Sequence, residues 1–224
     1  MTNMKIKQLQ ILLNDFELLS KTTLVQLQIV KKLLQDGPIE TLIEEANDNE
    51  VIIDRLEIKI REEVVFAIFQ FTPKAADLRK IITYQDITTN IERVGDMLLN
   101  IVHYTKRTDL QNPLFGEIKR MLDKMLGYTG EMLRNSIFSF TQEDTSVAYE
   151  ILKEDDKVDE LFRQIKVSLQ KSFANKTLDE DVIRNIINID TIAHNLERIG
   201  DSATNIAEST IYLTEGRDIR HGNK

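Results

Sequence analysis

The chain has 224 residues and carries 37 acidic against 29 basic side chains, a formal charge of −8. The absence of Cys excludes disulfides, thiolate metal sites and a cysteine nucleophile, and an acidic chain with no basic stripe is a poor partner for nucleic acid. The longest apolar run, Val64–Phe69, is far short of the roughly 20 residues a spanning helix needs. Met1–Gln10 has no signal-peptide core. The expectation is a soluble cytoplasmic protein.

Eight Gly and three Pro leave few places to turn, so long helices are expected. Asp36-Gly37-Pro38 separates a first helix from a second. Thr72-Pro73 ends the second, with Pro73 suited to the first turn of the third. Asn112-Pro113 precedes the fourth, Phe140 to Asp144 reads as a turn and a helix start, and Asn175-Lys176-Thr177-Leu178 does the same before the sixth. Six helices of about 25 to 35 residues fit an all-α bundle.

The chain repeats itself. Asn90-Ile91-Glu92-Arg93-Val94-Gly95-Asp96 matches Asn195-Leu196-Glu197-Arg198-Ile199-Gly200-Asp201 at an offset of 197 − 92 = 105. The same offset carries Asn100-Ile101 onto Asn205-Ile206, Arg79 onto Arg184, Glu50 onto Asp155 and Asp54 onto Asp159. Several matches in one register indicate an internal repeat. It divides the chain into two tandem three-helix units, residues 1–110 and 111–215, with a polar tail at 216–224.

Residues four apart lie one above the other on a helix, so Glu50 and Asp54 are neighbours, as are Glu92 and Asp96. The midpoints of these steps, 52 and 94, average to 73, the residue at the turn; those of the second unit, 157 and 199, average to 178. A hairpin about each turn places the four acids of each unit side by side. Ile87, Ile91, Val94, Leu98 and Ile101 follow a 4-3-4-3 core seam, and Ile53, Leu56 and Ile60 make the facing one. All four acids then fall on one flank outside the seam, which predicts a shallow acidic surface patch and not a buried cavity.

Carboxylates about 6 Å apart repel by roughly 2–3 kcal/mol at an effective dielectric of about 20, and four together favour a hard or borderline cation. The candidate metal ligands are Glu50, Asp54, Glu92 and Asp96 in the first unit and Asp155, Asp159, Glu197 and Asp201 in the second. The column Thr88-Glu92-Asp96-Asn100 and its counterpart Ala193-Glu197-Asp201-Asn205 contain no Lys or Arg. A single E-x-x-x-D step is a weak signal that a solvated helix face also produces; the shared register of four steps is what favours a site. Asp155–Asp159 is the weakest, because Arg163 stands four residues on and can pair with it. Arg93 and Arg198 point about 100° away from the acids. His194 precedes Glu197 by three residues and is placed to add a ligand, but its counterpart is Thr89, so it reads as surface; His103 and His221 join no constellation. Gly95 and Gly200 each cost a helix about 1 kcal/mol relative to Ala, for which close helix packing and room beside a ligand are equally good reasons.

Asn90–Ile101 and Asn195–Glu208 resemble the paired signature of the PhoU family, regulators of bacterial phosphate uptake, and Pro73-Lys74-Ala75-Ala76-Asp77-Leu78-Arg79 is similar to that family's P-x-A-x-D-L-R stretch. The second unit lacks that Pro and D-L-R, and its step begins with Asp155 instead of Glu. The resemblance implies two three-helix bundles related by a pseudo-two-fold axis, with metal clusters, iron or zinc, at the surface acids; magnesium and manganese also suit such acids. It implies down-regulation of phosphate ABC transport and of the phosphate-starvation response, through the transporter's ATPase subunit and a phosphate-sensing histidine kinase, by a homodimer or higher oligomer.

Three other readings stand beside this one. An accessory protein of a different phosphate permease would share the bundle, and a purely structural bundle would use the acids only for solvation. A di-iron oxidase would need inward-facing Glu and a Glu-x-x-His step, and no Glu-x-x-His occurs. With no nucleophile–base pair, phosphate-binding Gly loop or nucleotide motif, enzymatic activity is not expected.

Overall fold

The computed structural model describes residues 2–174, 177–217 and 219, with side-chain surroundings from Gln10 onward. The described residues form six long helices: α1 (Thr2–Asp36), α2 (Glu40–Phe71), α3 (Ala75–Thr105), α4 (Gly116–Gln142), α5 (Thr145–Phe173) and α6 (Glu180–Glu215). Among the described residues there is no strand. Asn175, Lys176, His221 and most of the polar tail lie outside the described residues.

The punctuation acts as the local chemistry requires. Gly37 closes α1 at φ +88°, a left-handed value open to glycine, and its N–H donates to Leu33 O at 3.0 Å. The Asp144 carboxylate accepts from the N–H groups of Ser146 and Val147 at the start of α5, and Asp179 accepts from Val182 N at the start of α6. Two expectations need correcting. Thr72 ends α2 in the left-handed region at φ 43°, and α3 begins at Ala75 with Lys74 as its N-cap. Pro73 therefore stands before the helix and not in its first turn: the left-handed Thr72 reverses the chain first. Helix α4 also runs through Phe140 and Thr141 to Gln142, so the turn narrows to Glu143 (φ 53°) and the Asp144 cap.

The predicted seam is the core. Ile87, Ile91, Val94, Leu98 and Ile101 on α3, and Ile53 and Ile60 on α2, have no exposed surface, and Leu56 is nearly as buried. Each such side chain contributes about 1.5–3 kcal/mol of transfer free energy. Within each repeat the three helices pack pairwise: α1, α2 and α3, then α4, α5 and α6. The repeats join chiefly along α3 and α6, with α1 also touching α4. At that joint Phe16 of α1, Tyr84 of α3 and Phe140 of α4 meet edge to face, with centroids 4.7–5.2 Å apart. The α3–α4 connection is tied to α6: Asp109 N donates to Asn185 Oδ1 and Asn188 Nδ2 donates to Arg107 O.

Candidate metal centre

Equivalent contacts bring α2 onto α3 and α5 onto α6. A Cβ at Gly95 would meet Ile53 and Glu50; a Cβ at Gly200 would meet Val158 and Asp155, the same positions 105 residues on. The register survives although three residues join α2 to α3 and six join α5 to α6, because the buried seam sets it and the loop does not.

The acids of each repeat come within mutual electrostatic reach, as the midpoint argument predicts. Glu50 feels Asp96, Asp54 and Glu92; Glu92 feels Asp96 and Asp54. In the second repeat Asp155 feels Asp159 and Asp201, and Glu197 feels Asp201, Asp159 and Asp155. Asp54, Asp96, Asp159 and Asp201 are exposed, whereas Glu92, Asp155 and Glu197 are half-buried.

Glu50 breaks the expectation of a wholly outward patch: it is only 8% exposed. The wheel sets it on the flank; in the fold it lies between the flank and the buried seam. The missing side chain of Gly95 opens a slot, and Glu50 Oε2 occupies it, 3.3 Å from where a Cβ would stand. Neither Glu50 oxygen accepts a hydrogen bond from a donor. Its natural neighbour, Asp96, is another acceptor, so the two bond only by sharing a proton. Burial, then that shared proton and the charge of Asp96, push Glu50 up to about 8. Glu92, Asp155 and Glu197 are also raised, in each case chiefly by burial.

The surrounding cations do little to neutralise these groups, apart from His194, whose Nδ1 lies 3.4 Å from Glu197 Oε2. Arg163 pairs with Glu160 at 3.0 Å and not with Asp159, which removes the ion pair expected to explain Asp155–Asp159. Residues 160 and 163 are one turn apart and both reach into water. Arg93 is exposed and is the smallest influence on Glu92. Two participants, Glu57 and Thr204, were absent from the sequence pattern, and Thr88 stood in it only as part of the cation-free column. Glu57 is buried beside Glu92 and ion-paired with Arg61; Thr88 is 2% exposed and its Oγ1 has no partner; Thr204 donates to Asp155 Oδ1 at 3.2 Å. Only a wheel drawn about the correct core direction could have found Glu57, since it matches no repeated motif.

Among the described residues no three Asp, Glu or His side chains already converge as a coordination sphere. The donor chemistry nevertheless suits a cation. Buried carboxylate oxygens without donors, Glu50 Oε1 and Oε2 and Glu197 Oε2, are what a divalent ion would satisfy. The exposed Asp54, Asp96, Asp159 and Asp201 stand at the rim, where rotation about the side-chain torsions can bring their oxygens inward.

The two glycines differ in a testable way. At Gly95 a Cβ would lie 3.0 and 3.2 Å from Ile53 atoms, and Ile53 is fully buried. Gly95→Ala is expected to destabilise by about 1–2 kcal/mol despite its better helix propensity. At Gly200 the nearest atom is Val158 Cγ1 at 3.4 Å, an ordinary contact. Gly200→Ala is expected to stabilise by up to about 1 kcal/mol. Thermal melts of the two variants should move in opposite directions; shifts of one sign would contradict the packing difference.

Comparison with known proteins finds similarity over most of the chain. The PhoU domain family model matches residues 16–105 and again 122–210. A protein of Aquifex aeolicus named phosphate-specific transport system accessory protein PhoU homolog is 33% identical over 180 residues, covering 80% of this chain and 79% of its own. One of Thermotoga maritima, PhoU homolog 1 of the same description, is 28% identical over 81% of this chain and 76% of its own. The crystal structure of PhoU from Pseudomonas aeruginosa superimposes with a TM-score of 0.85 at 24% identity, over 94% of this chain and 99% of that one. That of the phosphate transport system regulatory protein PhoU from Streptococcus pneumoniae gives 0.84 at 20%, over 96% and 98%. With the family model matched twice across the acid-bearing helices, this chain belongs to the PhoU family.

Proposed function

We propose that this protein is a cytoplasmic, metal-binding adaptor that down-regulates phosphate uptake by an ABC transporter and the phosphate-starvation response. The relatives named as accessory proteins of a phosphate-specific transport system support the transport role. Among the described residues no helix is long and apolar enough to cross a membrane, which suits a protein that meets the membrane through partners. Its partners in this reading are the transporter's ATPase subunit and a phosphate-sensing histidine kinase, and it works as a homodimer or higher oligomer without catalysing a reaction.

The observation that carries the metal-binding reading is the doubled acid quartet with buried, donor-less carboxylate oxygens in each copy. The ligands in this reading are Glu50, Asp54, Glu92 and Asp96, and Asp155, Asp159, Glu197 and Asp201. Iron and zinc are the leading candidates, with manganese and magnesium also compatible with carboxylate donors. A bound cation would neutralise each quartet. The chain's own part is to hold Glu50 in its slot and to keep two exposed Asp at each rim.

Elemental analysis and calorimetric titration of the wild type against Glu92→Ala/Asp96→Ala test the site. The expected result is loss of the first repeat's share of bound metal with the second repeat's share kept; equal metal content in both proteins would sink the assignment. Pull-down with the cognate ATPase subunit tests the role. Capture is expected with metal present, and no capture in either the presence or the absence of metal would count against the adaptor.

A further inference from the structure

Helix α2 carries two apolar faces. One is the buried seam already described. The other points to water: Val51, Ile52, Ile58, Val65, Phe66 and Phe69 are all exposed, Phe69 at 83%. Val51, Arg55, Ile58, Glu62, Val65 and Phe69 follow a 4-3-4-3-4 spacing, the spacing with which one helix meets another along its length. All six are exposed, so this second seam lies open. A groove of about 440 Å³ runs along it between Arg61, Glu62, Val65, Phe66 and Phe69.

The fold itself does not require such a face. Helix α5 holds the equivalent place in the second repeat, packed on α4 and α6 as α2 packs on α1 and α3. At the offset of 105 it has Asp156, Lys157, Arg163, Gln170, Lys171 and Ala174 where α2 has its exposed apolar side chains, and these too are exposed. The face of α5 is thus the polar one expected of a surface helix. That of α2 is a contiguous apolar patch, which marks an interaction surface.

The charges on the open seam point to what covers it. The midpoint of Arg55 and Glu62 is 58.5, that of Val51 and Val65 is 58, and that of Ile52 and Phe66 is 59. An antiparallel copy of α2, turned about an axis near Ile58, therefore sets Arg55 beside the second copy's Glu62, and does so twice. The same rotation lays Val51 and Ile52 into the second copy's groove, against its Val65 and Phe66. A parallel copy would instead set Arg55 against Arg55 and Glu62 against Glu62. Lys59, the other charge near the axis, is drawn aside by Asp15 of α1 at 2.8 Å. A surface complementary to itself under a two-fold rotation is what an isologous dimer needs. We propose that the outer face of α2 is where two copies of this chain join, with their α2 helices antiparallel about a two-fold axis near Ile58. This rests on the homodimer reading above and adds its surface, orientation and register.

Sedimentation of the full chain over a range of concentrations tests this, with variants at exposed positions that the fold tolerates. Arg55→Glu should raise the dimer Kd at least about tenfold, because it creates two like-charge contacts in each dimer. Arg55→Glu/Glu62→Arg exchanges the signs of both pairs and should restore the wild-type Kd. The chain has no Cys, so Ile58→Cys gives each copy a single thiol. A short bis-maleimide reagent should join two such copies, whereas Arg163→Cys, the same place on α5, should stay unjoined. A dimer whose Kd ignores Arg55→Glu, or that is joined through Arg163→Cys and not through Ile58→Cys, would put the interface elsewhere and overturn the proposal while leaving the homodimer standing. A wild type that stays monomeric at every concentration would instead overturn the homodimer reading itself. If that monomer captured the ATPase subunit and Phe69→Ser abolished the capture, the face would belong to that partner.

Discussion

Glu50→Gln is expected to raise the melting temperature of the metal-free protein at pH 8 while weakening its response to divalent cations. The side chain is buried, its oxygens meet no donor, and its nearest partner is the carboxylate of Asp96. Removing the capacity for charge there relieves a buried, uncompensated carboxylate, and the new amide donates to an Asp96 oxygen. A gain of about 1–3 kcal/mol is expected, or about 2–10 °C for a chain of this size. The same substitution deletes an anionic ligand from the first site. Opposite signs for metal-free stability and cation response mark a group kept for binding at the expense of stability. A lower metal-free melting temperature in calorimetry would show that Glu50 stabilises the fold instead.

The second large effect is a pH dependence that runs contrary to that of most paired carboxylates. Glu50 stands near 4.5 in an unfolded chain and is pushed up to about 8 in the fold. Between those values the folded state binds more protons than the unfolded one, so stability falls as pH rises. The contribution is fully present below about pH 4.5 and is lost as pH passes through 8. The shift of 8 − 4.5 = 3.5 corresponds to about 5 kcal/mol at 1.36 kcal/mol per unit. Water reaching the exposed Asp54 and Asp96 screens it, and about 2 kcal/mol is a better expectation. Glu63, half-buried against Asp15 on α1 and pushed up to about 7, adds a second loss of the same sign that ends one unit earlier.

Divalent cations should reverse the Glu50 part, because they bind the ionised carboxylates. At a hundredfold excess over Kd a single site adds about 2.7 kcal/mol. Melting curves with Mn²⁺ or Mg²⁺ should therefore show the largest cation-induced rise near pH 8 and little near pH 5. A cation-induced rise equal at both pH values would mean that the ion binds away from Glu50.

Much of the molecule is legible in the residues alone. The 105-residue offset, the six long helices and the pairing of acidic steps across each hairpin all follow from periodicity, because a helix brings residues three and four apart onto one face. The seam from Ile87 to Ile101 could be named in advance for the same reason, and so could its burial. Identical spacing in the two repeats sufficed to bring each quartet together, even though the second connection is longer.

What spacing does not carry is depth. Whether Glu50 faces water or the slot beside Gly95 depends on how closely α2 approaches α3, and that distance is set by Ile53 packed against a residue with no side chain. Whether Arg163 pairs with Asp159 or Glu160 depends on side-chain direction within one turn. Glu57, which matches no repeated motif, has no meaning for the site until the fold places it beside Glu92. Helical periodicity thus determined which acids would meet. Only the packed tertiary structure decided which of them is buried, because burial is a property of two surfaces in contact and a repeat pattern describes one surface at a time.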